Sequence, residues 1–277
     1  MAKVTYKAGR LTLAKSLSAF LDGQEANAES WRWFDEGLGW SKARMYAHGE
    51  DCISEEIQSK IAGWLIRRKA GEPWAYILGW VVWRGRRFCV TPATLIPRPE
   101  TEMVLESALE LARLIGAKHV VDVGTGAGIL GISLALESSL VVTATDISCE
   151  ALAVAKQNAK AHDAKLCWVQ GNLLEPVANP IEMVISNMPY IPIGHAGELQ
   201  REIAFEPRTA LFAGDMGMEL INKLLIQGFQ RNAKGIILEI GSEQGEELKS
   251  RAKQIGWQNV EIKKDIAGHD RVIVATN

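Results

Sequence analysis

The sequence predicts an α/β protein: a mostly parallel seven-stranded sheet with an antiparallel last strand, preceded by a small helical domain and a β-hairpin linker. Three observations lead there. From residue 101 onward, amphipathic helical stretches alternate with short apolar runs, the rhythm of βα units that build a parallel sheet with helices on both faces. Four stretches before residue 71 have apolar residues at helical spacing. Between the two parts, strand-like runs flank Arg84-Gly85-Arg86, and Pro92, Pro97 and Pro99 then stiffen the chain into an extended connector.

The four helical stretches cover 11–22, 26–36, 41–48 and 54–70. In the last, Ile57, Ile61, Trp64 and Leu65 share one face. Ser54 ahead of Glu55 and Glu56 reads as a cap, and Gly71 with Pro73 as a stop. The hairpin runs are Ile77 to Trp83 and Phe88 to Thr91. The α/β part then predicts helices at 101–115, 129–137, 149–161, 216–231 and 243–255. Its strands are expected at 119–123, 141–145, 166–169, 181–185, 235–240, 259–263 and 271–275. The last two are joined by a short loop and should pair antiparallel. The expected division is a helical substrate-binding domain (1–75), the hairpin and connector (76–100) and a catalytic domain (101–277).

A chain of 277 residues suits about two domains. Its 31 basic and 33 acidic side chains argue against a simple electrostatic nucleic-acid binder. Residues 1–88 carry 14 basic and 10 acidic groups, so the rest of the chain is net acidic by six. Cys52, Cys89, Cys149 and Cys167 form no CxxC pair and have no metal-ligand spacing to the five histidines, as expected of thiols in a reducing compartment. With no apolar run of about 18 residues and no leader-like start, a soluble cytoplasmic protein is expected. Of nine Trp, seven lie within the first 83 residues. They fill a small helical core or form a partner-binding face.

The chemistry begins at Val121-Asp122-Val123-Gly124-Thr125-Gly126-Ala127-Gly128. Three glycines at a strand end let the backbone turn tightly and approach a ligand closely. Asp146 ends the next strand, where a carboxylate can accept from both ribose hydroxyls of an adenosine. Nicotinamide dinucleotides and S-adenosylmethionine both use this geometry. Gly126 to Gly131 matches GxGxxG, but starts late within the turn. Asp122 would also repel a pyrophosphate, whereas it suits a cationic sulfonium and ammonium. S-adenosylmethionine is therefore favoured, over a dinucleotide or an empty glycine turn. After the third strand, Gly171-Asn172-Leu173 lies where a side-chain acceptor meets adenine, unless Asn172 is only a turn residue.

After the fourth strand comes Asn187-Met188-Pro189-Tyr190. Amide and aromatic amine nitrogens are poor nucleophiles because their lone pairs are delocalised. Two acceptors, the Asn187 side-chain oxygen and the Met188 carbonyl, can take the two N–H protons and hold the nitrogen toward a methyl group. Pro189 stiffens the turn, and the Tyr190 ring can stack on a planar group. An ordinary proline loop with a buried Tyr is the plainer alternative.

These residues, together with Arg68-Lys69-Ala70-Gly71-Glu72-Pro73, Tyr76-Ile77-Leu78-Gly79, Thr94-Leu95-Ile96-Pro97-Arg98-Pro99-Glu100-Thr101-Glu102 and Phe205-Glu206-Pro207, resemble the N5-glutamine methyltransferases of peptide chain release factors (the HemK/PrmC group). The likeness spans nearly the whole chain. It implies a Rossmann-like S-adenosylmethionine-dependent methyltransferase whose helical domain helps bind the release factor, and whose substrate is the glutamine of a Gly-Gly-Gln loop. It further implies that Asp122, Gly124, Thr125, Gly126, Ala127, Gly128, Asp146, Asn172, Leu173 and Asn187 contact the cofactor or lie beside it. Asn187, Met188, Pro189 and Tyr190 would hold the substrate amide, and Pro97–Glu102 would close over the site. No contact is assigned to Arg98 or Glu100. A monomer acting on protein, with neither nucleic acid nor membrane as partner, is expected.

Two positions depart from the family pattern: Met188 stands where a second proline is usual, and Asn172 where Asp is usual. Both are expected to slow the reaction or weaken a contact rather than abolish it. Three other functions share parts of the pattern. An adenine-N6 methyltransferase of nucleic acid shares the turn but needs a basic groove. A non-catalytic binding module would keep the fold alone, and a nicotinamide dehydrogenase lacks its acid/base pair here.

Overall fold

The computed structural model describes residues 3–178, 180–197 and 199–277. The chain divides into two units, Met1–Leu78 and Gly79–Asn277.

In the first unit the helices are α1 (Tyr6–Leu17), α2 (Gly23–Arg32), α3 (Lys42–His48), α4 (Glu55–Lys69) and α5 (Trp74–Leu78), with a π turn at Trp33–Gly37 extending α2. Side-chain caps set the starts: Thr5 accepts from Ala8 N–H, Asp22 from Gln24 and Glu25, and Ser54 from Ile57. The first helix begins five residues earlier than the apolar spacing suggests, because Thr5 caps it. Residues 77 and 78 are helical, not strand: the carbonyl of Pro73 accepts from the N–H groups of Tyr76 and Ile77 and closes a turn. Most of the tryptophans of this unit are core. Trp33 stacks on Trp74 at 4.7 Å, Trp64 meets both edge-on, and Trp40 stacks on Tyr6. Trp31 is only half-buried and carries Arg10 over its ring.

The second unit opens with the antiparallel hairpin β1 (Trp80–Trp83) and β2 (Arg86–Cys89). Its sheet comprises β3 (His119–Val123), β4 (Val141–Asp146), β5 (Cys167–Gln170), β6 (Met183–Ser186), β7 (Gly235–Glu239), β8 (Asn259–Lys264) and β9 (Asp270–Thr276), in the order β5-β4-β3-β6-β7-β9-β8. All neighbours are parallel except β9, which runs antiparallel to both β7 and β8. Between the strands lie α6 (Thr101–Ile115), α7 (Ile129–Glu137), α8 (Cys149–Ala161), α9 (Arg208–Leu211), α10 (Glu219–Gln230) and α11 (Gly245–Ile255). Helix α6 buries Val104, Leu105, Ala108, Leu111 and Ala112 along one face, and it stops where Gly116 turns left-handed.

The chain runs outward from β3 through β4 to β5, then returns to the other side of β3 to lay down β6 and β7. That reversal opens a crevice at the carboxyl ends of β3 and β6. Register sharpens the placement: Val123 pairs with Ser186, and Ser186 with Leu238. The next residues, Gly124, Asn187 and Glu239, therefore stand in a row along the carboxyl edge of the sheet. No helix among the described residues is long and apolar enough to cross a membrane.

Candidate active site

The crevice is a cavity of about 300 Å³, with Asp122, the 124–127 turn, Asp146, Asn172, Leu173 and the 187–189 turn among its walls. The turn follows β3 because Gly124, Gly126 and Gly128 all take positive φ, at 67°, 55° and 84°. Asp122 organises it from below. One carboxylate oxygen accepts from Thr125 Oγ1 at 2.6 Å and from the Gly131 N–H at 2.9 Å, stapling the turn to the first turn of α7. Gly131 is required by that approach, since a Cβ there would lie 2.9 Å from the same oxygen. The other oxygen, Oδ1, is buried with no partner among the described residues. Burial raises the Asp122 pKa to about 6; the charge of Asp146 adds to this, while the bonds from Thr125 and Gly131 pull it back.

Asp146, ending β4, accepts from Gly126 N–H and Ser148 N–H, both at 2.9 Å. A carboxylate has about four lone-pair positions, so two remain for a ligand. Leu173 is buried at positive φ, and the Asn172 side-chain nitrogen donates to Glu175 at 2.8 Å. That bond turns the Asn172 side-chain oxygen away from Glu175.

On the other side of the crevice, Asn187 Nδ2 donates to Thr101 Oγ1 at 3.0 Å, and Thr101 Oγ1 donates to Glu239 Oε2 at 2.8 Å. The Tyr190 hydroxyl reaches Glu239 Oε1 at 3.4 Å, and its carbonyl accepts from Gln244 Nε2 at 3.0 Å. Neither Asn187 Oδ1 nor the Met188 carbonyl accepts a hydrogen bond among the described residues. The Met188 side chain is buried in the core, with its sulfur near Gly124. Burial lifts the Glu239 carboxyl to about 7; Glu100 adds to the rise, while Thr101, Tyr190 and Arg271 oppose it. Burial and the Glu239 charge also push the Tyr190 phenol up, so it stays protonated.

The connector is anchored from an unexpected direction. Glu206, almost wholly buried, accepts from Ile96 N–H at 3.0 Å and pairs with the Arg98 guanidinium. This gives Arg98 a contact that the sequence left unassigned. Leu95 and Pro97 line the cavity, as do Pro207 and Phe212. Glu239 was missed at the sequence level, and Thr101 was noted only as part of the segment expected to close over the site, with no contact assigned to it. One signal was present: an acid closing the otherwise apolar run Gly235-Ile236-Ile237-Leu238-Glu239.

The cavity fits the expected cofactor on its own terms. An orphaned buried carboxylate oxygen suits a cation, the glycine turn leaves room for close approach, and a second carboxylate has spare acceptor positions. Fold and site together define a methyltransferase. Residues 101–216 match the methyltransferase small domain, and residues 12–79 match the PrmC N-terminal domain. Among solved structures, the hMettl16 catalytic domain in complex with a MAT2A 3'UTR hairpin shares the fold at a TM-score of 0.57 and 13% identity, over 80% of this chain and 82% of that one. A methyltransferase from Pyrococcus furiosus does so at 0.51 and 16% identity, over 80% and 98%. The release factor glutamine methyltransferase of Enterococcus faecalis is 37% identical over 93% of this chain and 95% of its own length. That of Nitratidesulfovibrio vulgaris is 39% identical over 81% and 80%. The chain belongs to the release factor glutamine methyltransferase family.

Proposed function

We propose that this protein transfers a methyl group from S-adenosylmethionine to the side-chain amide nitrogen of the glutamine in the Gly-Gly-Gln motif of peptide chain release factors. The observation that carries the reading is the pair of open acceptors on one turn, Asn187 Oδ1 and the Met188 carbonyl, in the cavity that Asp122 also lines. A primary amide has two N–H groups, and two acceptors side by side suit it.

Bound in the cavity, S-adenosylmethionine supplies an electrophilic methyl group on a sulfonium. Asp122 would hold its cationic methionine end, Asp146 would accept from the ribose hydroxyls, and Asn172 with Leu173 would border the adenine. The turn Gly124, Thr125, Gly126, Ala127 and Gly128 lets the backbone approach. Asn187 and Met188 accept the two amide protons, which favours positive charge developing on nitrogen. Pro189 holds the turn and the Tyr190 ring covers the planar amide. Asn187 is a neutral amide and removes no proton; its contribution is orientation and polarisation.

The helical unit is the natural docking part for a protein substrate. The net acidity of residues 89–277 supports protein over nucleic acid, and a monomer working in the cytoplasm fits this role. The test is mass spectrometry of the Gly-Gly-Gln peptide after incubating the protein with S-adenosylmethionine and unmodified bacterial release factor. One added methyl on the glutamine side chain is expected. No methyl gain, with the cofactor still bound, would refute the substrate and leave the methyltransferase fold standing.

A further inference from the structure

Thr101 and Glu239 sit outside the cofactor turn and the substrate turn, yet both are only 1% exposed and both bear on Asn187. We propose that they form a one-way hydrogen-bond relay that sets which end of the Asn187 carboxamide meets the substrate. Both are positioning residues. The geometry is independent of the reaction, but the consequence for catalysis rests on the glutamine-methylation reading above.

Hydrogen bonds have direction, and an ionised carboxylate can only accept. Glu239 Oε2 therefore takes the single proton of the Thr101 hydroxyl, 2.8 Å away. The hydroxyl then has only lone pairs to offer Asn187, at 3.0 Å. The amide must turn its NH₂ to Thr101 and its oxygen to the cavity. With the amide reversed, two oxygens would face each other with no proton between them, leaving a buried hydroxyl and an amide oxygen in repulsion. While Glu239 is ionised, a substrate N–H thus meets an acceptor. Tyr190, from the same turn, adds a looser tie to the other carboxylate oxygen.

The device has a cost that marks it as more than packing. Glu239 forms no ion pair among the described residues although it is buried, which is an expensive place for a charge. The groups acting on it are Thr101 and Tyr190 by hydrogen bond, Glu100 favouring its protonation and Arg271 opposing it. Arg98 acts on neighbouring Tyr190. A protonated Glu239 can donate to Thr101. That frees the threonine proton for Asn187 Oδ1, and the amide loses its enforced orientation.

The experiment uses the full chain with Thr101→Val, Thr101→Ser and Asn187→Ala. Single-turnover methylation of unmodified release factor is measured beside S-adenosylmethionine affinity by calorimetry. Thr101→Val is expected to slow methyl transfer by about 30-fold, the scale of a misplaced positioning group, with cofactor affinity changed by less than about twofold. Thr101→Ser keeps the hydroxyl and should stay within about threefold of the wild type. Independently of activity, the Asn187 side-chain NH₂ resonances, assigned by their loss in Asn187→Ala, should titrate with Glu239 in the unliganded protein. That titration should vanish in Thr101→Val. Wild-type transfer by Thr101→Val, a Thr101→Ser variant as slow as Val, or an Asn187 titration unchanged by Val would each overturn the relay. A wild type that methylates no release factor would instead refute the reaction, and the resonances would still decide the relay.

Discussion

Asp122 is held at a cost to the unliganded protein, and Asp122→Asn should reveal it. The existing hydrogen bonds, from Thr125 and Gly131, converge on one carboxylate oxygen, while the other has no partner. An asparagine can keep its oxygen at the bonded position and place its NH₂ at the orphaned one, so the substitution removes charge with little change of shape. Burial raises the Asp122 pKa from 3.8 to about 6. A raised acid contributes stability that is present below the unfolded value and is lost as pH rises through the folded one. At 1.36 kcal/mol per unit, the ionised carboxylate destabilises the unliganded fold by about 3 kcal/mol above pH 7. At pH 4.5, most of that deficit is absent. Urea unfolding of the wild type and Asp122→Asn at pH 4.5 and 7.5 is the assay. The variant should gain about 2 kcal/mol on the wild type between the two pH values. S-adenosylmethionine affinity should meanwhile fall about tenfold or more, because a cation would meet NH₂ in place of a carboxylate. Parallel pH dependences in the two proteins would refute the account of Asp122 as a buried charge kept for a cationic ligand.

Three further outcomes follow from the same geometry. Asn187→Ala should lower the single-turnover rate about 100-fold while leaving cofactor affinity nearly unchanged; near-wild-type turnover would remove Asn187 from the chemistry. Gly217→Ala places a Cβ 2.3 Å from the Tyr190 carbonyl oxygen at φ 73°, so the turn must move. A loss of about 2 kcal/mol in urea unfolding and a raised KM for release factor are expected, and an unchanged KM would show that this support is dispensable. Glu206→Ala strands the Ile96 N–H and the Arg98 guanidinium; hydrogen exchange at 95–98 should speed up and cofactor affinity fall several-fold, whereas unchanged protection there would show that the connector is held by other contacts.

The α/β half was legible because its punctuation is local. Helices 101–115, 129–137 and 149–161 coincide with α6, α7 and α8, where Gly116 ends one and Ser148 caps another. The strand limits drift by a residue or two, since a buried parallel strand has no sharp chemical edge. Residues 77–78 were misjudged because a β-branched and aromatic run carries the same signal in a short helix as in a strand. Asp122, Asp146 and Asn187 draw attention in the sequence because they stand within, at and just after the carboxyl ends of strands that are themselves readable. Glu239 and Thr101 could not be paired: 138 positions separate them, and only the register of β6 with β7 brings Asn187 and Glu239 together. The Met188 side chain lies buried in the core cluster, a packing that no local rule describes.

The place of β9 in the sheet also governs how this chain becomes a folded molecule. It is the last strand in sequence but an interior one in space, lying between β7 and the edge strand β8. On a ribosome, β8 emerges with no partner available, because its only neighbour has yet to be made. Sheet closure therefore waits until Asp270–Thr276 is made and free to pair, with the still unpaired outer edge of β7 and the orphan β8 exposed in the interval. That interval is when the nascent chain is most open to aggregation and to chaperones.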